Sequence, residues 1–242
     1  MGNNIILCEG ETDQTLIGCY MEKTAGWKFE IINNSPFPKE KIIWYKDKND
    51  FLDGIWQVGG SDFTRAIQSI AEREKNDHMF DNIVIITDHD DQESVDFRLE
   101  QIKEKIISSL DQVEIDQSFS KNRWSNVTFT DNFSSEWTIQ ILYLLVPMEE
   151  TGALETFMMD ALSEQSPEKE NVIAQAKEFV ANFQSSYYLK KRREKTKAEL
   201  GVSMSVFSPD RIFTTMKELL DSVEWGDFST VHIQFDLLKK IY

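Results

Sequence analysis

Two short acidic clusters carry the residues best able to do chemistry. Glu9-Gly10-Glu11-Thr12-Asp13 follows the apolar run Ile5-Ile6-Leu7-Cys8, and Asp88-His89-Asp90-Asp91 follows Ile83–Thr87. Carboxylates brought within a few ångströms repel one another, and one takes up a proton unless a cation lies between them. Hard cations with oxygen ligands, Mg²⁺ or Mn²⁺, suit such a donor set. As alternate residues, Asp88 and Asp90 point to one side of the segment if it stays extended past the strand. Gly10 lets the backbone turn sharply after Glu9 and admits close approach of a phosphate. The competing expectation is helix capping, because Asp and Glu favour a first turn. Two clusters at comparable strand ends favour the cation site.

The elements that position these clusters are legible as alternating strands and helices. Asn4–Cys8 is long enough for a strand and too short for a helix. Thr12–Lys23 has Leu16, Ile17, Tyr20 and Met21 at helical spacing. Strands are expected over 29–32, 41–45 and 55–58, then a helix from Ser61 to about Lys75. Ile83–Thr87 reads as a strand buried on both faces of a parallel sheet. A helix over 93–110, strands over 124–130 and 137–146, and a helix over 152–162 follow. Beyond about residue 165 the pattern is helical, over 168–183, 186–200, 210–222 and 228–241. The expectation is an α/β catalytic domain over 1–165 with a helical C-terminal extension over 166–242. In a parallel sheet the carboxyl ends of the strands share one edge, where ligands bind. Both acidic clusters belong to that edge.

Composition narrows the class. The chain has 242 residues, 40% of them hydrophobic, which excludes a disordered or collagen-like protein. The longest nearly apolar run, 139–148, is about half of what a membrane helix needs, so no membrane association is expected. No secretory signal is visible at the N-terminus, and Cys8 and Cys19 form no disulfide framework or zinc pattern, so the expected location is the cytoplasm. With 42 acids against 26 bases the net charge is −16. That argues against a protein that coats nucleic acid without selectivity.

The acidic motifs resemble those of Toprim domains. Ile6-Leu7-Cys8-Glu9-Gly10-Glu11-Thr12-Asp13 is similar to a first motif in which a strand ends in Glu-Gly. Ile85-Ile86-Thr87-Asp88-His89-Asp90-Asp91 is similar to a second, in which a strand ends in Asp-x-Asp. Val58-Gly59-Gly60 and the helix after it match the layout between them. The nearest branch is the overcoming-lysogenization-defect nucleases and their small stand-alone relatives. There, a proline and then Gly-x-Leu-Glu open a helix, much as in Pro147-Met148-Glu149-Glu150-Thr151-Gly152-Ala153-Leu154-Glu155. The resemblance spans about residues 4–162. It implies a Rossmann-like parallel sheet flanked by helices and a Mg²⁺- or Mn²⁺-dependent endonuclease working by two-metal chemistry. It assigns Glu9 as metal ligand or general acid/base, Asp88 and Asp90 as metal ligands, Asp13 and Asp91 as further ligands, and Glu155 as a candidate for a second metal. Glu11 and Glu150 are expected to face solvent. Toprim topoisomerases and primases are much larger, and the chain has neither a strand-passage domain nor a zinc ribbon. It also lacks a Gly-x-x-x-x-Gly-Lys-Ser/Thr motif, so control by ATP would come from a separate ABC-type ATPase, as the resemblance to phage-defence effectors implies.

A basic run stands apart from the acidic whole. Lys190, Lys191, Arg192, Arg193, Lys195 and Lys197 surround the single acid Glu194, a local +5 that leaves −21 on the rest of the chain. Phe183, Tyr187 and Tyr188 precede it, and aromatics beside cations are what single-stranded nucleic acid uses. The run is a candidate phosphate track, or else a solvated helix face. The resemblance makes Lys195 or Lys197 the candidate for a catalytic lysine. Ser134, Ser135 and Glu136 are expected either to reach the acidic edge or to form a turn. His89 is a metal-site neighbour or a loop residue, and His78 and His232 stand isolated. Trp124, Trp137 and Trp225 are expected in the core or at interfaces.

The substrate expected is nucleic acid, DNA first and RNA (a transfer RNA or ribosomal RNA precursor) second. A homo-oligomer is compatible with the pattern. The rival class is a catalytically silent binding or regulatory module whose acids only cap helices. A haloacid-dehalogenase-type phosphatase is discounted, because its Asp-x-Asp ends the first strand and is followed by Thr or Val rather than Asp91.

Overall fold

Apolar runs without helical spacing become the strands of one mixed sheet. The computed structural model describes residues 3–89, 92–183, 187–211, 218, 220, 223 and 225–241. Its strands are β1 (Asn3–Cys8), β2 (Lys28–Glu30), β3 (Ile42–Lys46), β4 (Leu52–Gln57), β5 (Phe80–Asp88), β6 (Asp111–Ile115), β7 (Trp124–Thr130) and β8 (Glu136–Val146). The order across the sheet is β2-β3-β4-β1-β5-β8-β7-β6. The expected parallel sheet forms only at the centre, where β4, β1, β5 and β8 run parallel. The flanking pairs are antiparallel, because their connections are too short for a crossover. β6 has no counterpart in the sequence reading: it is a short, mostly polar edge strand with little apolar alternation to announce it.

The central strands are buried on both faces, and each face takes alternate residues. Ile6, Cys8, Val84, Ile86, Leu142, Leu144 and Val146 face α1 (Glu11–Ala25) and α4 (Leu154–Ser163). Ile5, Leu7, Ile83, Ile85, Ile141, Tyr143 and Leu145 face α2 (Thr64–Glu74) and α3 (Gln92–Ser109). The segments after residue 165 join the first of these cores. Ile173 of α5 (Pro167–Asn182), Leu200 and Met204 of α6 (Arg192–Phe207), and Val231 and Phe235 of α7 (Ser229–Phe235) pack into the same cluster as Ile17 and Tyr20. Ser166 caps α5 by accepting the Lys169 N–H, with Pro167 in the first turn.

The helix expected over 186–200 starts later, at Arg192, and runs to Phe207. The Glu194 carboxylate accepts the Lys191 N–H at 3.0 Å and so fixes that start. Of the helix expected over 210–222, most lies outside the described residues, and Pro209–Arg211 forms one 3-10 turn.

The C-terminal segment also holds the end of β8. Gln234 is buried; its Oε1 accepts the Met148 N–H at 2.8 Å and its Nε2 donates to the Leu145 carbonyl at 2.8 Å. Gln234→Ala would leave both backbone groups without a partner, at a cost of about 1–3 kcal/mol. Urea unfolding should show that loss; a variant as stable as the parent would contradict this role for Gln234.

Candidate functional site

Strand order reverses about β1: β4 lies on one side of it and β5 on the other, the arrangement that opens a crevice at the carboxyl ends. Glu9, immediately after β1, sits in that crevice and is only 8% exposed. Its Oε1 accepts the Thr87 hydroxyl at 2.6 Å and the Asp88 N–H at 3.2 Å. Its carbonyl accepts the N–H groups of Gly59 and Gly60 at 3.0 and 2.9 Å. Gly59 has φ +88°, a conformation that favours glycine, so the Gly59-Gly60 turn folds back over the end of β1.

Asp88 ends β5, and its Oδ1 accepts the Leu154 N–H at 3.1 Å, the first N–H of α4. The loop before α4 is stitched to the residue after β5. The His89 N–H donates to the Val146 carbonyl at 2.9 Å, and the Gly152 N–H to the His89 carbonyl at 2.8 Å. His89 Nδ1 lies 2.9 Å from the Pro147 carbonyl, which can only accept, so Nδ1 carries the proton. His89 therefore fastens the loop. At Gly152 a Cβ would lie 2.7 Å from Pro147 Cδ, which restricts the position to glycine. This packing brings Glu155, in the first turn of α4, to the edge where Glu9 and Asp88 lie.

The result is a cleft of about 330 Å³ whose lining includes Glu9, Asp13, Asp88, Glu155, Gly59, Gly60 and Lys197. Lys197, in the second turn of α6, pairs with Glu155 at 2.5 Å. Five acids from three segments, Glu9, Glu11 and Asp13 after β1, Asp88 at the end of β5 and Glu155 in α4, share this space with the Lys197 cation. Burial is the main cause that raises Asp13 from 3.8 to about 7; Glu9 and Glu155 add to the rise, while the Gly10 N–H and Lys197 oppose it. Burial likewise lifts Asp88 to about 7, with the charges of Glu9, Asp13 and Glu155 adding and the Leu154 N–H opposing. Among the described residues no three carboxylates are arranged as a ready cation shell. The donors are nonetheless all oxygens, and burial, with repulsion from the neighbouring acids, raises Asp13 and Asp88 to about 7, a strain that a hard divalent cation between them would relieve.

These shifts set a sign for stability against pH. Between about 3.8 and 7 the folded chain keeps protons on Asp13 and Asp88 that the unfolded chain has released. Their stabilisation is fully present below 3.8 and lost as pH rises through 7. In chelator, Asp13→Asn should gain stability over the parent as pH goes from 5 to 8, by about 1–2 kcal/mol. Urea unfolding at the two pH values measures it; a difference that does not change with pH would remove the premise of a crowded acidic cleft.

The structure gathers some of the expected residues and leaves others apart. Glu9, Asp13, Asp88, Glu155 and Lys197 come together. Asp90 and Asp91 lie outside the described residues, as does the side chain of Arg193. Asp13 has a capping role too, accepting the Gly10 N–H at 2.7 Å. Glu11 lies on the rim of the cleft and Glu150 is exposed. Lys195 does not line the cleft, and Lys190, Lys191 and Arg192 lie at or before the start of α6. Ser134, Ser135 and Glu136 cannot reach the acidic edge. They lie at the amino end of β8, ten residues or about 33 Å from its carboxyl end.

His78 is not isolated. It bridges buried Glu74 at 2.7 Å and Asp81 at 3.3 Å, and it stacks on Trp137 at 4.3 Å. Trp225 is buried; Trp124 donates to the Leu237 carbonyl. The sequence reading missed Thr87, which holds Glu9, and Arg98, whose Nη2 donates to the Asp88 carbonyl at 3.1 Å. A single threonine in a strand and an arginine on a helix carry no local signal for such roles.

A mixed sheet with an acid-lined cleft at the carboxyl edge of its parallel centre defines an α/β protein with a candidate cation and phosphate site. The chain belongs to the family described as "protein of unknown function (DUF3226)", whose model matches residues 3–222. No curated protein matches the chain. Among solved structures it is similar to the hypothetical protein PH0156 from Pyrococcus horikoshii OT3. The TM-score is 0.52 and the identity 14%, over 100% of this chain and 99% of that one, a likeness of fold alone. A putative glyoxalase family protein from Bacillus anthracis has 10% identity and a TM-score of 0.19, over 59% of this chain and 94% of that one. A likeness that weak bears on neither fold nor function.

Proposed function

We propose that the chain is a Toprim-type, Mg²⁺- or Mn²⁺-dependent nuclease that hydrolyses phosphodiester bonds. The observation that carries this reading is the convergence of Glu9, Asp13, Asp88 and Glu155 with Lys197 in one cleft. Glu9 and Asp88 would hold the cation, with Asp13 and Glu155 beside them. Once bound, the cation supplies Lewis acidity and an activated water. The chain's own residues do the rest. Thr87 and the Asp88 N–H orient the Glu9 carboxylate, leaving its second oxygen to accept a proton or meet a ligand. Lys197 places a positive charge where a phosphate entering the cleft meets the acids. The Gly59-Gly60 turn offers a wall without side chains for close approach of the backbone.

DNA is the first substrate in this proposal and RNA the second. A cytoplasmic role in phage defence, controlled by a separate ABC-type ATPase, enters through the Toprim resemblance. A second reading has an observation of its own. Asp13 accepts the Gly10 N–H, Asp88 accepts the Leu154 N–H and Glu155 is paired with Lys197, so a silent module could use all three acids structurally.

One pair of measurements separates the two. A cation at a hundred times its dissociation constant should raise the melting temperature by about 5–10 °C. Glu9→Gln and Asp88→Asn should lose that gain. Plasmid, single-stranded DNA and total RNA should be cut with Mg²⁺ and spared in chelator, and either variant should slow cutting by about a hundredfold or more. Cutting that persists in chelator, or variants that respond to Mg²⁺ as the parent does, would sink the proposal.

A further inference from the structure

Between α5 and α6 the described residues hold exposed aromatic rings next to a run of bases. Tyr187 and Tyr188 are 77% and 64% exposed, and Phe183 at the end of α5 is 48% exposed. The two tyrosine rings stand edge to face at 5.0 Å, and Lys190 Nζ lies 5.9 Å above the Tyr187 ring. Their broad faces are thus held on the surface beside cations, not folded into either core cluster. The bases that follow carry the local +5 of a chain otherwise at −21.

The track leads to the acidic cleft. Lys191 precedes the first residue of α6 and Lys197 lies six residues later, about 9 Å along the helix axis. Lys197 is the residue paired with Glu155 inside the cleft. Exposed rings, then cations, then the acids therefore succeed one another over a short path.

The chemistry of this order selects a ligand. Duplex nucleic acid offers a ring face only its phosphates and groove edges, since its base faces are stacked on one another. An unpaired strand offers base faces to Tyr187 and Tyr188 and phosphates to Lys190, Lys191 and Arg192.

We infer that residues 187–192 grip a single-stranded nucleic-acid segment, stacking its bases on Tyr187 and Tyr188 and passing its backbone along α6 to the cleft. The grip deepens the nuclease reading by naming its substrate class; only the fate of the strand at the cleft rests on that reading.

The test is fluorescence anisotropy with the full chain in chelator, so that binding is read without cutting. The probes are a labelled single-stranded DNA of about 15 nucleotides, the RNA of the same sequence and the DNA duplex. A single strand should bind at least tenfold tighter than the duplex. Y187A/Y188A should weaken it about 10- to 100-fold, with the melting temperature and duplex affinity unchanged. K190A/K191A should lower the slope of log affinity against log salt by about 1.4. Equal duplex binding, or single-strand binding untouched by Y187A/Y188A, would overturn the inference. Either single strand, DNA or RNA, bound at least tenfold tighter than the duplex meets the expectation, and the tighter of the two names the strand. A self-association lost in Y187A/Y188A, with no single-strand binding, would assign the patch to a second copy of the chain. The two readings fail separately. Single-strand binding in chelator without cutting in Mg²⁺ removes the nuclease reading alone, and Mg²⁺-dependent cutting without that binding removes this inference alone.

Discussion

The arrangement of the cleft depends on where the Glu9 carboxylate is held. It is buried at the end of β1, and Oε1 accepts the Thr87 hydroxyl and the Asp88 N–H of β5, while the Glu9 carbonyl accepts two N–H groups from the turn after β4. One residue therefore fixes the carboxyl ends of three neighbouring strands. Asp13 and Asp88 each accept one backbone N–H, and burial raises both to about 7. A folded chain does not accumulate such groups for stability, because desolvating a carboxylate with few donors is unfavourable. A counter-charge from outside, a cation between the acids, is what would relieve the arrangement.

The second half of the chain brings that counter-charge chemistry to the edge. α6 shares a core with α1 and α4, and that packing sets Lys197 against Glu155. α7 reaches across through Gln234 to hold both Leu145 and Met148, on either side of the Val146-Pro147 step that leads to His89 and Gly152. The helices after residue 165 are thus part of the site's support as well as its lining. Gln234 lies beyond residue 222, where the family match ends.

Much of this was legible in the sequence because strand ends have strong local signatures. Ile83–Thr87 could only be a doubly buried strand, and acids directly after it had to lie on the ligand-binding edge of a parallel sheet. Pro147 and Gly152 entered through the Toprim resemblance as the opening of a helix, and the clash of a Cβ at Gly152 with Pro147 gives the physical reason for the glycine. The antiparallel flanks were harder, since β2 and β6 are short and mostly polar at the sheet edges. The start of α6 was misplaced because a run of bases has no helical periodicity of its own; the Glu194 cap decides it. Pairings across distant segments, such as Thr87 with Glu9 or His78 with Trp137, leave no trace in spacing. They depend on register, which only the assembled sheet sets.

The charge balance takes a different meaning once it is placed on the fold. A net −16 spread evenly would repel any polyanion, and the field of the acidic surface still disfavours binding at random. Lys190, Lys191 and Arg192 lie at or before the start of α6, and its second turn brings Lys197 to the cleft where the acids are most crowded. Under the single-strand inference, a strand arriving along α6 would exchange condensed counterions for lysine and arginine contacts. Beyond Lys197 it would meet net negative charge, and would advance only if cations neutralise Glu9, Asp13 and Asp88. Metal occupancy and strand entry are then coupled by electrostatics alone. An acidic chain of this design would admit a gripped strand to the cleft only where a bound cation is also present, which is how selectivity can arise without any base-reading contacts.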